Sequence, residues 1–193
     1  MREASQLLSF SASQLLSFSA SELPSSGTVA GMEFEGQVFF RFGERGVWEF
    51  YRFARALAES GADVALEWTP MPGEGAAGQA FLGLERPQDR GRFLHAMLGL
   101  IHLEGRAAGE ADTVTAALAA AGVSPGLVTD GVEQEIARQV DDLSVEDVPA
   151  IYRHGPVVHV ALNGAALTGD VQARATTIMA MLDDDGIWGL TKP

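Results

Sequence analysis

Gly73-Glu74-Gly75-Ala76-Ala77-Gly78 matches G-x-G-x-x-G, the pattern that lets a backbone approach a pyrophosphate at a helix N-terminus. That chemistry needs the first glycine directly after a strand. Here Thr69-Pro70-Met71-Pro72 precedes it, and Glu74 sets a carboxylate where phosphates belong, so the segment reads as a flexible loop. His95 and His102 lie seven residues apart, on one face of a helix. Two turns separate them by about 10 Å, too far for one metal ion. His154 and His159 have no carboxylate spaced to complete a ligand set, and all four histidines read as structural. Asp183-Asp184-Asp185 would point in different directions on a helix and oppose the dipole at its C-terminal end, so it reads as a solvated terminus rather than a cation site. No G-x-S-x-G, S-x-x-K or P-loop pattern occurs.

The most informative residue type is the one that is absent. The chain has 193 residues and no cysteine. Disulfides, cysteine-ligated zinc, iron–sulfur clusters and a thiol nucleophile of its own are therefore excluded. The length suits one domain able to bury a core without staples. Asp plus Glu number 26 against 13 Lys plus Arg, a net charge of −13, which argues against nucleic acid or an anionic membrane as partner, since both need basic patches. A cytoplasmic location is expected.

Residues 5–12, SQLLSFSA, repeat identically at 13–20. Such Ser-rich, low-complexity sequence rarely packs into a core, so residues 1–31 read as a disordered extension, or as translated sequence upstream of a start at Met32. The stretch is too polar for a membrane span and makes a poor signal peptide, with Arg2 offset by Glu3. Leu7, Leu8, Leu15 and Leu16, with Phe10 and Phe18 between, give a weakly amphipathic pattern through which residues 5–23 would dock on a protein partner.

Residues 32–193 form the expected domain. Gln37–Phe42 is an aromatic-rich strand, and Gly43–Gly46 a loop. Val47–Ser60 is a helix stopped by Gly61, and Asp63–Trp68 a strand ended by Pro70 and Pro72. A helical block follows at about 76–142: Pro87–Gly105, Glu110–Ala121, and Ser124–Val140 with an interruption near Gly131. Ser144–His154 reads as a short helix strained by Pro149. Pro156–Leu162 is a strand, Asn163-Gly164 a hairpin turn, Ala165–Thr168 its partner, and Asp170–Leu182 a closing helix capped by Asp170. The order βαβ, helices, ββα predicts an α/β, thioredoxin-like fold with a helical insertion between its halves.

The stretch Phe40–Trp68 resembles the DsbA-like thioredoxin superfamily, in which a Cys-x-x-Cys or Cys-Pro-Trp-Ala motif opens the first helix. Trp48 takes the motif tryptophan position; Gly46 falls where the attacking cysteine belongs, Val47 at the proline, and Glu49 at the second cysteine or alanine. Arg92–Leu98, Glu104-Gly105-Arg106 and the Ala-rich run to Val123 are similar to the helical insertion of the branch that includes hydroxychromene-carboxylate isomerase and kappa-class glutathione transferases. His154-Gly155-Pro156-Val157-Val158-His159 is similar to the Gly-Thr-Pro-Val-Ile-His segment of mycothiol-dependent relatives. By that match Pro156 is the cis-proline, and Trp48, Gly155, Pro156 and Val157 line a cleft for a small thiol or a peptide.

The resemblance carries three functional readings. A helix N-terminus that stabilises a thiolate in the family has no thiolate here, so the first is a degenerate oxidoreductase kept as a binding or structural module. The second is a transferase, isomerase or reductase that borrows the thiol of glutathione or mycothiol. There a motif hydroxyl holds the cofactor thiol, and with no Ser or Thr between Phe39 and Phe53 the nearest hydroxyl is Tyr51. The third is an assembly component docked through the N-terminal tail. A homodimer is left open.

Overall fold

The structure, a computed structural model, describes residues 32–128, 131–155, 157–160 and 171–183. Three strands and a short fourth form one sheet. The elements are β1 (Glu33–Phe40), α1 (Arg45–Glu59), β2 (Asp63–Pro70), α2 (Gly75–Leu82), α3 (Pro87–His102), α4 (Ala111–Ala121), α5 (Val132–Asp142), β3 (Ala150–Tyr152), β4 (Val158–His159) and α6 (Val171–Asp183). The sheet order is β2-β1-β3-β4. β1 and β2 run parallel, with Glu33 opposite Asp63 and Phe40 opposite Pro70. β3 runs antiparallel to β1, and β4 to β3. This is the expected parallel βαβ and antiparallel ββ on one sheet.

Strand alternation divides the core. Phe34, Val38 and Ile151 point to the face covered by Phe50, Phe53 and Leu57 of α1 and by Ala175, Ile178 and Leu182 of α6. Phe39 and Ala150 point to the opposite face, against Ile136 and Val140 of α5. At the end of β1, its last residue Phe40 and Phe42 just beyond it pack edge-on against Phe81 of α2, with centroids 5.5 and 6.3 Å away. They join Phe93, Leu94, Met97 and Leu98 of α3 in a third cluster, which seats the helical block on the end of the sheet. α1 is a helix because Val47, Phe50, Phe53, Ala54 and Leu57 recur at the helical period and are all buried. Gly61, at φ +92°, ends it in a left-handed turn that residues with a β-carbon disfavour.

Several boundaries differ from the sequence expectation. β1 starts four residues earlier than predicted, at Glu33, and β2 runs on through Pro70. β2 is an edge strand, where a proline's missing N–H costs no ladder bond. Residues 123–128 are irregular, and α5 begins after Gly131. The expected helix at Ser144–His154 does not form: a turn at Leu143–Ser144 leads through Val148-Pro149, a cis peptide, into strand β3. An X-Pro step disfavours the helical region for the residue before it, and Ala-Ile-Tyr then suits a strand. Of the expected strand at Pro156–Leu162, the described residues form β4 at Val158–His159. Pro156 itself, the Asn163-Gly164 hairpin, the Asp170 cap, residues 1–31 and Asp184-Asp185 lie outside the described residues. No helix among the described residues is long and apolar enough to cross a membrane.

One flaw in the core yields a stability prediction. Thr113, in the first turn of α4, is 1% exposed, and its hydroxyl has no hydrogen-bond partner among the described residues. A buried hydroxyl without a partner loses its water for no return, and an isosteric apolar group removes that cost. Thr113→Val is expected to be neutral or to stabilise by up to about 1 kcal/mol. Thermal unfolding measures this, and a fall in Tm would show that the hydroxyl has a partner.

Candidate functional site at the head of the first helix

The first turn of α1 places the motif-like residues Gly46, Val47, Trp48 and Glu49. Val47 is buried in the helical-block cluster, and its N–H donates to the carbonyl of Glu44 at 3.1 Å. Glu49 lies mostly inside, 20% exposed, and pairs with the exposed Arg45 one turn earlier at 3.2 Å. Glu44 occupies the N-cap position without a side-chain cap bond.

Pro149 faces this turn. A β-carbon built on Gly46 would lie 3.2 Å from Cδ of Pro149, so the proline ring rests on the glycine itself. The segment that carries the ring is tied down at several points. Ala150 pairs with Phe39 of β1, Val160 N–H donates to the Pro149 carbonyl at 2.9 Å, and His159 Nδ1–H donates to the Asp147 carbonyl at 2.9 Å. Among the described residues, the proline that meets Gly46 is Pro149; Pro156, expected to face this turn, lies outside them. Gly155, expected to line the cleft, lies close to the last turn of α6, where a β-carbon would meet the Leu182 carbonyl at 3.3 Å. Val157 packs with the α5 cluster.

Two side chains that the sequence reading left aside hold the loop before α1. Glu74 accepts a hydrogen bond from Phe42 N–H at 3.0 Å and pairs with Arg41 at 3.2 Å. Its segment is therefore no flexible loop: Gly73 and Gly75 take positive φ angles that turn the chain into α2, and the carboxylate between them clamps the β1–α1 connection. From the other side, His102 Nε2–H donates to the carbonyl of the same Phe42 at 2.9 Å. The His102 ring lies 12° from parallel to Trp48 at 6.0 Å, and Trp48 lies 14° from parallel to Tyr51 at 6.1 Å. Arg52 sits over the Trp48 ring at 6.0 Å. Burial pushes the His102 pKa down, and the bond to Phe42 opposes this only in part.

Tyr51, the candidate hydroxyl, lays its ring on Trp48 of the motif. It also packs on Trp68 and on His95. Burial raises its pKa, with Arg55 opposing. Five residues of helix carry it about 7.5 Å along the axis from Gly46. His95 and His102 do share a face of α3, as their spacing predicted, and both meet α1. Among the described residues no group of His, Asp and Glu could hold a metal ion.

No family model matches the chain, and no curated protein does. Solved structures do. Reduced DsbL superposes with a TM-score of 0.55 at 14% identity, covering 82% of this chain and 95% of its own. A periplasmic thioredoxin-like protein from Salmonella enterica serovar Typhimurium superposes with a TM-score of 0.55 at 17% identity, covering 80% of this chain and 88% of its own. At such identities the likeness shows the fold alone, α/β and thioredoxin-like.

Proposed function

We propose that this thioredoxin-like protein is a binding or structural module that has lost thiol–disulfide exchange. One observation carries the reading. The chain has no cysteine, while the head of α1 and the proline that faces it remain assembled around Gly46. Exchange proceeds by thiolate attack on a disulfide, and this chain supplies no thiolate. What remains is a recognition surface: the segment at Val148-Pro149 that leads into β3, the first turn of α1, and the half-buried Trp48. Its ligand class is an extended peptide segment. The Tyr51 hydroxyl stands a turn and a half from Gly46, on a ring packed against Trp68 and His95, which favours this reading over one with a borrowed thiol.

Insulin reduction by dithiothreitol is expected to run at the same rate with and without the protein. Acceleration by the unmodified chain would overturn the reading. Titration with a reduced, carboxymethylated polypeptide should move the amide resonances of Gly46–Glu49 and Val148, and shifts confined to other parts of the chain would count against it. Millimolar glutathione or mycothiol should leave Tm unchanged. A rise of several degrees would instead identify a thiol-dependent enzyme, since a ligand at about 100 times its Kd adds about 2.7 kcal/mol.

A further inference from the structure

His95 and His102 both dock α3 on α1, but with opposite chemistry. His102 uses an N–H as donor, toward the Phe42 carbonyl. That proton is present on the neutral ring and on the charged one, so acid leaves the bond intact. His95 meets Arg55, with 3.3 Å between its Nδ1 and Arg55 Nη1. A guanidinium only donates, so His95 Nδ1 must carry a lone pair. Protonation of His95 removes that lone pair and sets two cations 3.3 Å apart.

We propose that the His95–Arg55 contact is a pH-sensitive latch between α1 and α3, closed while the imidazole is neutral and released when it is protonated. The groups that face His95 from α1 are Tyr51, whose ring lies 5.9 Å away, and Arg55, with Glu59 behind it. On α3 itself, Arg92, one turn earlier, is turned to Asp89. Arg55 already bonds Glu59 at 3.0 Å through its other terminal nitrogen, so it has an acceptor to retreat to when His95 becomes charged. The Tyr51 ring packs on His95 on one side and stacks on Trp48 on the other. Release of the latch therefore reaches the aromatic stack beside the head of α1.

Burial, with Arg55 in support, holds the His95 pKa below the usual histidine value. The sign follows. The neutral ring stabilises the fold fully above the unfolded histidine pKa of about 6.5, and that stabilisation is lost as pH falls from there through the folded pKa.

Near-ultraviolet circular dichroism, which reads the Trp48–Tyr51 stack, is expected to change in one step between pH 7.5 and 5, with its midpoint below about 6.5. The far-ultraviolet spectrum should stay constant through the step. His95→Gln, whose amide oxygen accepts from Arg55 at every pH, should lose the step, and His102→Gln should keep it. Absence of the step in the wild-type protein, or its survival in His95→Gln, would overturn the proposal. NMR titration of the unaltered protein tests it without a variant. A His95 ring that titrates at or above the usual value, with the Arg55 side-chain resonances unmoved, would overturn it equally.

Discussion

Replacing Gly36 by valine is expected to cost about 3 kcal/mol, the upper part of the range for inserting methyl groups into a packed core. Gly36 sits in β1, opposite Leu66 of β2. A β-carbon there would lie 2.8 Å from Cγ2 of Ile151 and 3.2 Å from the backbone oxygen of Tyr152. The first is a branched methyl on a fully buried residue, and the second is main chain, so neither moves cheaply. Relief requires β3 to shift away from β1, and β3 directly follows the proline that rests on Gly46. The expected loss in Tm is about 6–12 °C, at about 2–4 °C per kcal/mol for a chain of this size. The control is Ala65→Val, at an exposed position of the edge strand β2, where a β-branched residue is expected to be neutral or mildly stabilising. Equal losses at both positions would show that β3 does not constrain Gly36.

Glu74→Ala is expected to cost about 2 kcal/mol, within the range for a hydrogen bond to a charged group. The Glu74 side chain is 11% exposed, and its removal leaves Phe42 N–H without its acceptor and Arg41 without its partner. The Phe42 carbonyl keeps His102, so the loop loses one of its two anchors rather than both. Amide hydrogen exchange from Phe42 to Gly46 is the more specific readout. An opening made easier by about 2 kcal/mol accelerates exchange roughly 30-fold there, at 1.36 kcal/mol per decade. Glu74→Gln retains an acceptor for Phe42 N–H and should recover part of the protection. An alanine variant whose exchange at Phe42–Gly46 matches wild type would mean that the β1–α1 loop is held by packing alone.

The elements with strong periodicity were legible. α1 buries the residues spaced at three and four that the sequence marks, and β1 alternates faces as its aromatic run suggests. The stretch from Ser144 to Val160 was not. Its local signals compete: Ser-Val-Glu-Asp-Val resembles a helix start, while Pro149 and Pro156 each stand before an apolar run suited to a strand. Only pairing decides between them, because Ala150 finds Phe39 and Ile151 finds Val38 in the register that β1 offers. The proline that meets Gly46 is the one that starts this pairing, and propensity cannot rank two prolines by partners they meet only in the folded sheet. Glu74 was misread for a related reason. Between two glycines it looks like part of a loop, and nothing near it in sequence reveals that the Phe42 amide, thirty-two positions away, needs an acceptor.

By itself, the sequence determined that this chain has no cysteine thiol of its own for thiol–disulfide exchange, since the absence of an atom is a matter of composition and no fold can supply it. It also determined the α/β class and the helical block, through hydrophobic period and glycine stops. The tertiary structure alone decided what stands around Gly46 and the loop before it. Pro149 rests on Gly46, Glu74 and His102 hold Phe42 from opposite sides, and His95 meets Arg55. Each of these contacts joins residues thirty or more positions apart. Such pairs depend on which surfaces collapse together, and local pattern encodes only the surfaces.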